Sequence, residues 1–144
     1  MDREYEGLRL SNQLCFPLYA ASREVIKQYR PFLDALDLTY TQYIAMMVLW
    51  EENTVSVKEL GKKLFLDSGT LTPVLKSLEA KGYIRRSRCA EDERVLVAEL
   101  TQAGEALRDS AKAVPESVAS CMKLEPQEAA LLYRLLYKIL GSHP

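Results

Sequence analysis

Two short amphipathic segments, separated by a break of a few residues, limit what this chain can fold into more than any other feature. In SVKELGKKLFL, Ser56 to Leu66, the residues Val57, Leu60 and Leu64 recur at helical spacing and form one apolar stripe. Ser56 followed by Glu59 has the pattern of a capping box, in which each side chain satisfies the other's backbone N–H. After LDSG comes TLTPVLKSLEAKG, Thr70 to Gly82, with Leu71, Leu75 and Leu78 as its core face. Asp67 is the preferred N-cap of this second helix, with Ser68 as the alternative. Pro73 is expected within the first turn, where no helical donor is lost, and Gly82 is a good C-terminal stop. Two helices this short and this close in sequence make a helix-turn-helix. YIRRSR and RVLVAEL then read as two strands, with the charged stretch CAEDE as an exposed tip between them. A hairpin directly after a helix-turn-helix is a wing.

The segments on either side read as helix. From about Leu10 to Tyr29 one helix carries two apolar faces, Leu14, Leu18, Ala21 and Val25 on one and Cys15, Tyr19, Ser22, Ile26 and Tyr29 on the other. Such a helix has to bury both. One face can enter its own domain; the other needs something else, most simply a second copy of the chain. Residues 1–9 are polar and expected to fray. Pro17 leaves two geometries open: the helix bends there, or it begins there with the proline in its first turn. The second would put Cys15 beside a helix N-terminus, where the dipole favours a thiolate. Pro31 is expected to interrupt the pattern, with PFLDALDL as a short helical turn. TYTQYIAMMVLW, Thr39 to Trp50, is nearly all apolar or aromatic and predicts a buried helix. After Thr101 the stripe Leu107, Ala111, Val114, Val118 and Cys121 predicts a helix to about Met122, bent at Pro115. Glu125-Pro126 opens a last helix with a broad band of Leu131, Leu132, Leu135, Leu136, Ile139 and Leu140. The expected architecture is a single chain over 1–144, mainly α with a small β-wing. Its winged helix-turn-helix lies at 55–100, flanked by helical segments at 8–30 and 101–144.

With 144 residues the chain is long enough for one domain with a real core, and a net charge of −1 gives it no global attraction to nucleic acid or membrane. Any nucleic-acid site has to come from local clustering. Three cysteines at wide, uneven spacing make neither a disulfide framework nor a zinc pattern. The only histidine, His143, sits beside the C-terminus, which argues against a His-based metal or catalytic site. No metal and no cofactor are expected. There is no apolar core of signal-peptide length and no run long enough to span a membrane, so no membrane role is expected. The expected location is cytoplasmic, with thiols kept reduced at rest.

The local cluster exists. Between Lys76 and Arg88 stand five basic residues, Lys76, Lys81, Arg85, Arg86 and Arg88, against one acidic residue, Glu79. Phosphate contacts dominate the affinity of DNA binding, and this cluster lies on the second helix of the helix-turn-helix and the adjoining strand. Opposite the leucines of that helix are Ser68, Thr70, Thr72, Pro73 and Lys76. Short hydroxyl side chains let a helix sit deep in a major groove and reach base edges or phosphates. At the wing tip Arg94 suits a narrow minor groove, and Asp92, two residues earlier, is placed to hold its guanidinium.

KELGKKLFLDSGTLTPVLKSLEAKGYIRRSR, the Asp92-Glu93-Arg94 step and VLVAELTQAG together resemble the winged helix of the MarR (multiple antibiotic resistance regulator) family. NQLCFPLYAASRE and LTYTQYIAMMVLWE narrow the resemblance to its organic hydroperoxide resistance (OhrR) branch. It runs over nearly the whole chain. It implies a homodimeric repressor on a pseudo-palindromic operator, dimerising through its N- and C-terminal helices. Cys15 matches the reactive cysteine, Tyr29 and Tyr40 match the phenols that hydrogen-bond it, and Pro17 departs from the usual small or apolar residue. Cys121 matches the second cysteine of two-cysteine members, which there pairs with the reactive cysteine of the other subunit; a buried stripe residue is the alternative. Cys89, at the wing, is read as incidental.

The residues suit that chemistry. A thiolate is the nucleophile toward a peroxide and gives a sulfenic acid. No lysine or histidine adjoins Cys15, so phenolic hydrogen bonds and helix dipoles have to stabilise it. Tyr29 lies 14 residues on, ~21 Å along a helix, so a Tyr29 that caps Cys15 comes from a second subunit crossing antiparallel. Apolar neighbours such as Leu14 and Phe16 favour organic peroxides over hydrogen peroxide. Two other functions fit less well. One is a winged-helix repressor of a small phenolic ligand with an unreactive Cys15. The other is a thiol peroxidase, disfavoured by the lack of an adjacent base or CxxC and by the share of the chain given to DNA reading. The chain is therefore not expected to be an enzyme.

Overall fold

The structure, a computed structural model, describes residues 3–142. His143 lies outside them. Two compact units divide the chain, Met1–Val114 and Pro115–Pro144. The first opens with short 3-10 helices at Arg3–Leu8 and Leu10–Asn12. It continues with α1 (Cys15–Asp34), α2 (Tyr40–Glu52), β1 (Thr54–Ser56), α3 (Val57–Leu64), α4 (Ser68–Ala80), β2 (Ile84–Arg88), β3 (Leu96–Leu100) and α5 (Gln102–Ala111). α6 (Val114–Ala119) begins at the last residue of that unit, and α7 (Pro126–Ile139) belongs to the second. The fold is mainly helical with a small antiparallel sheet, as expected.

The helix expected to be buried, α2, is the centre of the first unit. Thr39 starts it with a capping box. Its hydroxyl accepts the Gln42 N–H at 3.3 Å and the Gln42 carboxamide oxygen accepts the Thr39 N–H at 3.0 Å. Asn53, at φ 60°, ends it. Ala45, Met46 and Leu49 are fully buried, and α1, α3, α4 and α5 all pack on the helix. The helix-turn-helix stands on one side of it, with Leu60 of α3 and Leu71, Leu75 and Leu78 of α4 buried. Asp67 is the N-cap of α4, its carboxylate accepting the Thr70 N–H at 2.7 Å. The other end of α4 stops at Gly82, whose φ of +80° turns the chain out of the helix. There the Gly82 N–H bonds Glu79 O at 2.9 Å and the Tyr83 N–H bonds Leu78 O at 3.1 Å, the reciprocal pair of a Schellman stop.

The sheet has three strands rather than the hairpin alone, in the order β1-β3-β2. β3 is central: Val55 of β1 faces Ala98, and Ile84 of β2 faces Leu100. β1 is three residues long and its partner lies some forty residues away, so no local pattern announces it. Between the wing and α5 the chain passes a tight seat. Thr101 caps α5 by accepting the Gly104 N–H at 3.1 Å and donates its hydroxyl to Gly82 O at 2.6 Å. The Trp50 indole N–H donates to Gly104 O at 2.9 Å, tying α5 to α2.

Several elements depart from the expectations. The first helix begins at Cys15 rather than Leu10, so Pro17 is its third residue and the first-turn alternative holds. Within the stretch 1–9 expected to fray, Arg3–Leu8 forms 3-10 turns, and Leu10–Asn12 forms another before the helix. Pro31 does not interrupt α1, which runs on to Asp34 with the proline inside it; tertiary packing of Leu33, buried in the core, outweighs one lost helical bond. Nor does one face of the early helix enter the core: residues 14–24 are exposed all round, and the helix becomes partly buried only from Val25. Pro73 is the sixth residue of α4, beyond the first turn. The capping box at Ser56 is half-formed, since Ser56 accepts the Glu59 N–H at 3.1 Å while the Glu59 carboxylate lies 4.0 Å from Lys62. Pro115 marks a break, not a bend, because α5 ends at Ala111 and α6 starts at Val114. Cys121 therefore lies past the end of α6, exposed, with its thiol on Ser117 O at 3.4 Å.

Gly104 supplies a direct test of the seat. A Cβ there would lie 2.2 Å from Tyr83 O and 2.8 Å from a Leu100 methyl. Gly104→Ala is expected to lower stability by about 3 kcal/mol or more. Gly7→Ala, with nothing within 4 Å, should leave urea unfolding unchanged. Equal midpoints for the two variants would contradict this packing.

Candidate functional site

The outer face of α4 carries the residues expected to read DNA. Ser68, Thr70, Thr72, Pro73 and Lys76 are all exposed, opposite the buried Leu71, Val74, Leu75 and Leu78. The Thr72 hydroxyl donates to Ser68 O at 2.7 Å, which fixes the direction of its oxygen lone pairs outward from the helix. Thr70, by its backbone N–H first and its hydroxyl second, holds the Asp67 carboxyl below its ordinary range.

The basic cluster sorts into scaffold and free cations. Arg86 is scaffold: its guanidinium lies 3.1 Å and 3.3 Å from one oxygen of Glu79, and its backbone N–H donates to the other at 2.8 Å. Its side chain is only 21% exposed. That pair clamps β2 to the end of α4, and the Arg86 N–H, then its guanidinium, keep the Glu79 carboxyl below its ordinary range. Lys81 turns inward as well, donating to the Gln42 carboxamide at 3.2 Å and to the Asp37 carbonyl, with the Asp37 carboxylate at 3.5 Å. Arg85 stays exposed and reaches Glu99, its cross-strand neighbour, at 3.6 Å. Lys76 and Arg88 are exposed and have no carboxylate partner among the described residues. Sequence alone offers no signal for the Glu79–Arg86 clamp, whose members are seven residues apart across a turn.

At the wing tip Asp92 grips Arg94. Nε is 3.1 Å from one carboxylate oxygen, the second nitrogen 3.3 Å from the other, and the Arg94 backbone N–H donates at 3.1 Å. The Arg94 side chain is nonetheless 91% exposed, a guanidinium held outward in one orientation. The guanidinium, then the backbone N–H, keep the Asp92 carboxyl below its ordinary range. Cys89, at the base of this loop, is half-buried and its backbone N–H bonds Val95 O at 2.8 Å.

The thiol and phenols lie at opposite ends of α1. Cys15 is its first residue and is exposed; Tyr29 sits near the other end of the same continuous helix, so the two do not meet within one protomer. Tyr29 instead meets Tyr40, ring centres 5.0 Å apart, and Tyr43 at 5.8 Å. Tyr43 was not among the expected site residues, although it follows Tyr40 by three and so shares its helix face. It is 2% exposed and links the pair to Trp50, 6.4 Å away. Burial raises the pKa of all three phenols; for Tyr40 the charge of Tyr29 adds to this, and for Tyr43 those of Tyr29 and Tyr40. They are therefore protonated at neutral pH and available as hydrogen-bond donors. No group of three or more potential metal ligands occurs among the described residues, and no helix there is long and apolar enough to cross a membrane.

The model of the family Transcriptional regulator SarA/Rot matches residues 27–110, which spans α2 and the whole winged helix. The organic hydroperoxide resistance transcriptional regulator of Bacillus subtilis is 45% identical over 142 residues, 99% of this chain and 97% of that protein. This chain belongs to the MarR-type transcriptional regulators, in the organic hydroperoxide resistance branch. The regulator is also similar in fold and sequence to AbfR of Staphylococcus epidermidis. Reduced AbfR bound to DNA is 38% identical, with 96% of each chain covered and a TM-score of 0.76. Disulfide-formed AbfR is likewise 38% identical over 95% of this chain and 96% of that one, and its TM-score is 0.65.

The Glu79–Arg86 clamp has a pH signature. A carboxyl whose folded pKa is lowered adds stability above its unfolded value, 4.5 for this group, and loses that stability as pH falls through the folded value. Glu79→Gln should therefore be less stable than wild type at pH 7, with the gap closing on acidification below about pH 4. Thermal unfolding of both proteins across pH 3–7 is the check; a gap independent of pH would remove the clamp from the ledger.

Proposed function

We propose that the chain is a DNA-binding transcriptional repressor that senses organic hydroperoxides by oxidation of Cys15 and then releases its operator. The observation that carries this reading is the division of labour inside one unit. α4 and the wing present an outward row of hydroxyls and cations, while α1 and α2 hold three protonated phenols together at 5.0–6.4 Å. Relatives support it. The Bacillus subtilis protein is named for organic hydroperoxide resistance, and AbfR has been solved reduced on DNA, overoxidized on DNA and disulfide-formed.

A second copy of the chain supports the chemistry. Leu14, before α1, and Phe16, Leu18, Tyr19 and Ile26 on it are exposed, as are Leu131, Leu132, Leu135 and Ile139 on α7 and Leu140 after it. Rows of exposed apolar side chains of this kind mark interaction surfaces. A homodimer covers them, and an α1 running antiparallel to its partner brings Tyr29 and Tyr40 of one protomer toward Cys15 of the other. A Cys15 thiolate there attacks the outer oxygen of the hydroperoxide, the O–O bond breaks, and the departing alkoxide takes a proton from water, leaving a sulfenic acid, an alcohol and hydroxide. A second thiol, Cys121 of the other protomer, displaces water from that sulfenic acid and gives a disulfide. The exposure of Cys121 at the end of α6 favours this role over buried packing. Function of this kind belongs in the cytoplasm, beside DNA and in a reducing compartment.

Two measurements test the reading, both on a duplex selected by the reduced protein from random-sequence DNA. In the first, Arg94→Ala should cost roughly 1–3 kcal/mol of affinity, and Lys76→Ala should reduce the salt slope by about 1. The selected sites should be pseudo-palindromes with half-sites about 34 Å apart. Wild-type affinity in both variants would sink the assignment of this face. In the second, cumene hydroperoxide should release wild type but not Cys15→Ser. The oxidised wild type should run as a thiol-reversible covalent dimer that Cys121→Ser cannot form. A monomeric oxidised band would reduce Cys121 to a bystander, and release of Cys15→Ser would end the thiol reading.

A further inference from the structure

Gln42 stands apart in the core. It is the one buried polar residue among the described residues, 6% exposed, and it lies on the same first turn of α2 as Tyr40 and Tyr43. Its polar ends are engaged in opposite directions. The carboxamide oxygen accepts the Thr39 N–H at 3.0 Å and the Lys81 ammonium at 3.2 Å, and the carboxamide nitrogen donates to the Ser77 hydroxyl at 2.9 Å. Ser77 belongs to α4 and directly follows Lys76 of the DNA-facing row; Lys81 is the C-cap of α4. Lys81 also bonds the Asp37 carbonyl in the α1–α2 turn. One face of this turn thus stacks phenols while the other is hydrogen-bonded to the recognition helix.

Apolar packing does not need such a residue. Leu71, Val74, Leu75 and Leu78 already hold α4 down, and a leucine at position 42 would add to that grip. Hydrogen bonds differ in tolerance: a slide of about 1 Å along a packed apolar face keeps most contact, but the same slide breaks a bond of ordinary length. A buried amide left unpaired costs about 1–3 kcal/mol, so α4 has a reason to follow α2 when that turn moves.

We infer that Gln42, through Ser77 and Lys81, is the positioning residue that carries a change at the phenol cluster to the recognition helix. The inference rests on the thiol reading above. While Cys15 is a thiolate, Tyr40 of the partner protomer donates to it. Oxidation removes that acceptor, the first turn of α2 shifts, and Gln42 draws the end of α4 with it, out of register with DNA.

The test uses full-length protein, the selected duplex and cumene hydroperoxide, and follows three quantities: affinity when reduced, rate of sulfenic acid trapping at Cys15, and affinity after oxidation. Ser77→Ala removes one acceptor without touching the DNA-facing row. It should bind DNA within about threefold of wild type when reduced and oxidise at the wild-type rate, yet lose at least tenfold less affinity on oxidation. Ser77→Thr, which keeps the hydroxyl, should restore release. Gln42→Leu should behave like Ser77→Ala, and if it does not fold the serine pair decides alone. The inference is overturned if Ser77→Ala releases DNA as wild type does, if it oxidises at an altered rate, if its reduced affinity collapses, or if threonine fails to restore release. A wild type whose Cys15 traps no sulfenic acid fails differently: it removes the thiol reading, and this inference with it.

Discussion

The burial of α2 is the constraint on which the first unit depends. Its Ala45, Met46 and Leu49 are wholly removed from solvent, and four helices and two strands pack around it. Buried apolar area is the main favourable term in folding, at roughly 25 cal/mol per Å², so a helix packed by this many neighbours cannot be moved without disturbing what it touches. That makes α2 a poor place for flexibility and a good place for transmission. Tyr40, Tyr43 and Gln42 all sit on its first turn, where the Thr39 capping box ties backbone and side chain into one rigid unit.

Charge is arranged on the same economy. Of the basic residues clustered near α4, two are drawn inward to fix geometry: Arg86 onto Glu79 and Lys81 onto Gln42 and Asp37. Those left outward are fewer than composition suggests but better aimed. Exposed ion pairs contribute little stability; the partly buried Glu79 clamp instead sets the angle between the wing and α4. Asp92 serves Arg94 in a different way. In the proposed DNA complex it would reduce the rotamer freedom the guanidinium loses on entering a groove, at the cost of a carboxylate near the phosphates.

Much of this was legible in the sequence. The stripes Leu60/Leu64 and Leu71/Leu75/Leu78, the Asp67 cap, the Gly82 stop and the wing strands are local signals, and local signals read well. Tyr29 and Tyr40 were singled out with Cys15, and the structure brings the two phenols together within one protomer. What was not legible depends on long-range pairing. β1 exists because Val55 meets Ala98; Gln42 is polar in a helix that otherwise reads as pure core; Arg86 looks like any exposed cation until Glu79 is seen beside it. Prolines misled in both directions. Pro31 and Pro73 sit inside helices that tertiary packing sustains, while the real break near Pro115 falls before it, at Lys112 and Ala113.

The open apolar rows on α1 and α7 have a consequence in mass action. In the proposed homodimer they are hidden only against another copy, so folding would go to completion in a second-order reaction and stability would rise with the chain's own concentration. Freshly made chains at low abundance then spend longer as single protomers, with leucines displayed to chaperones and proteases. The number of copies in the cell, and not affinity for DNA alone, would then set whether a working regulator is present at all.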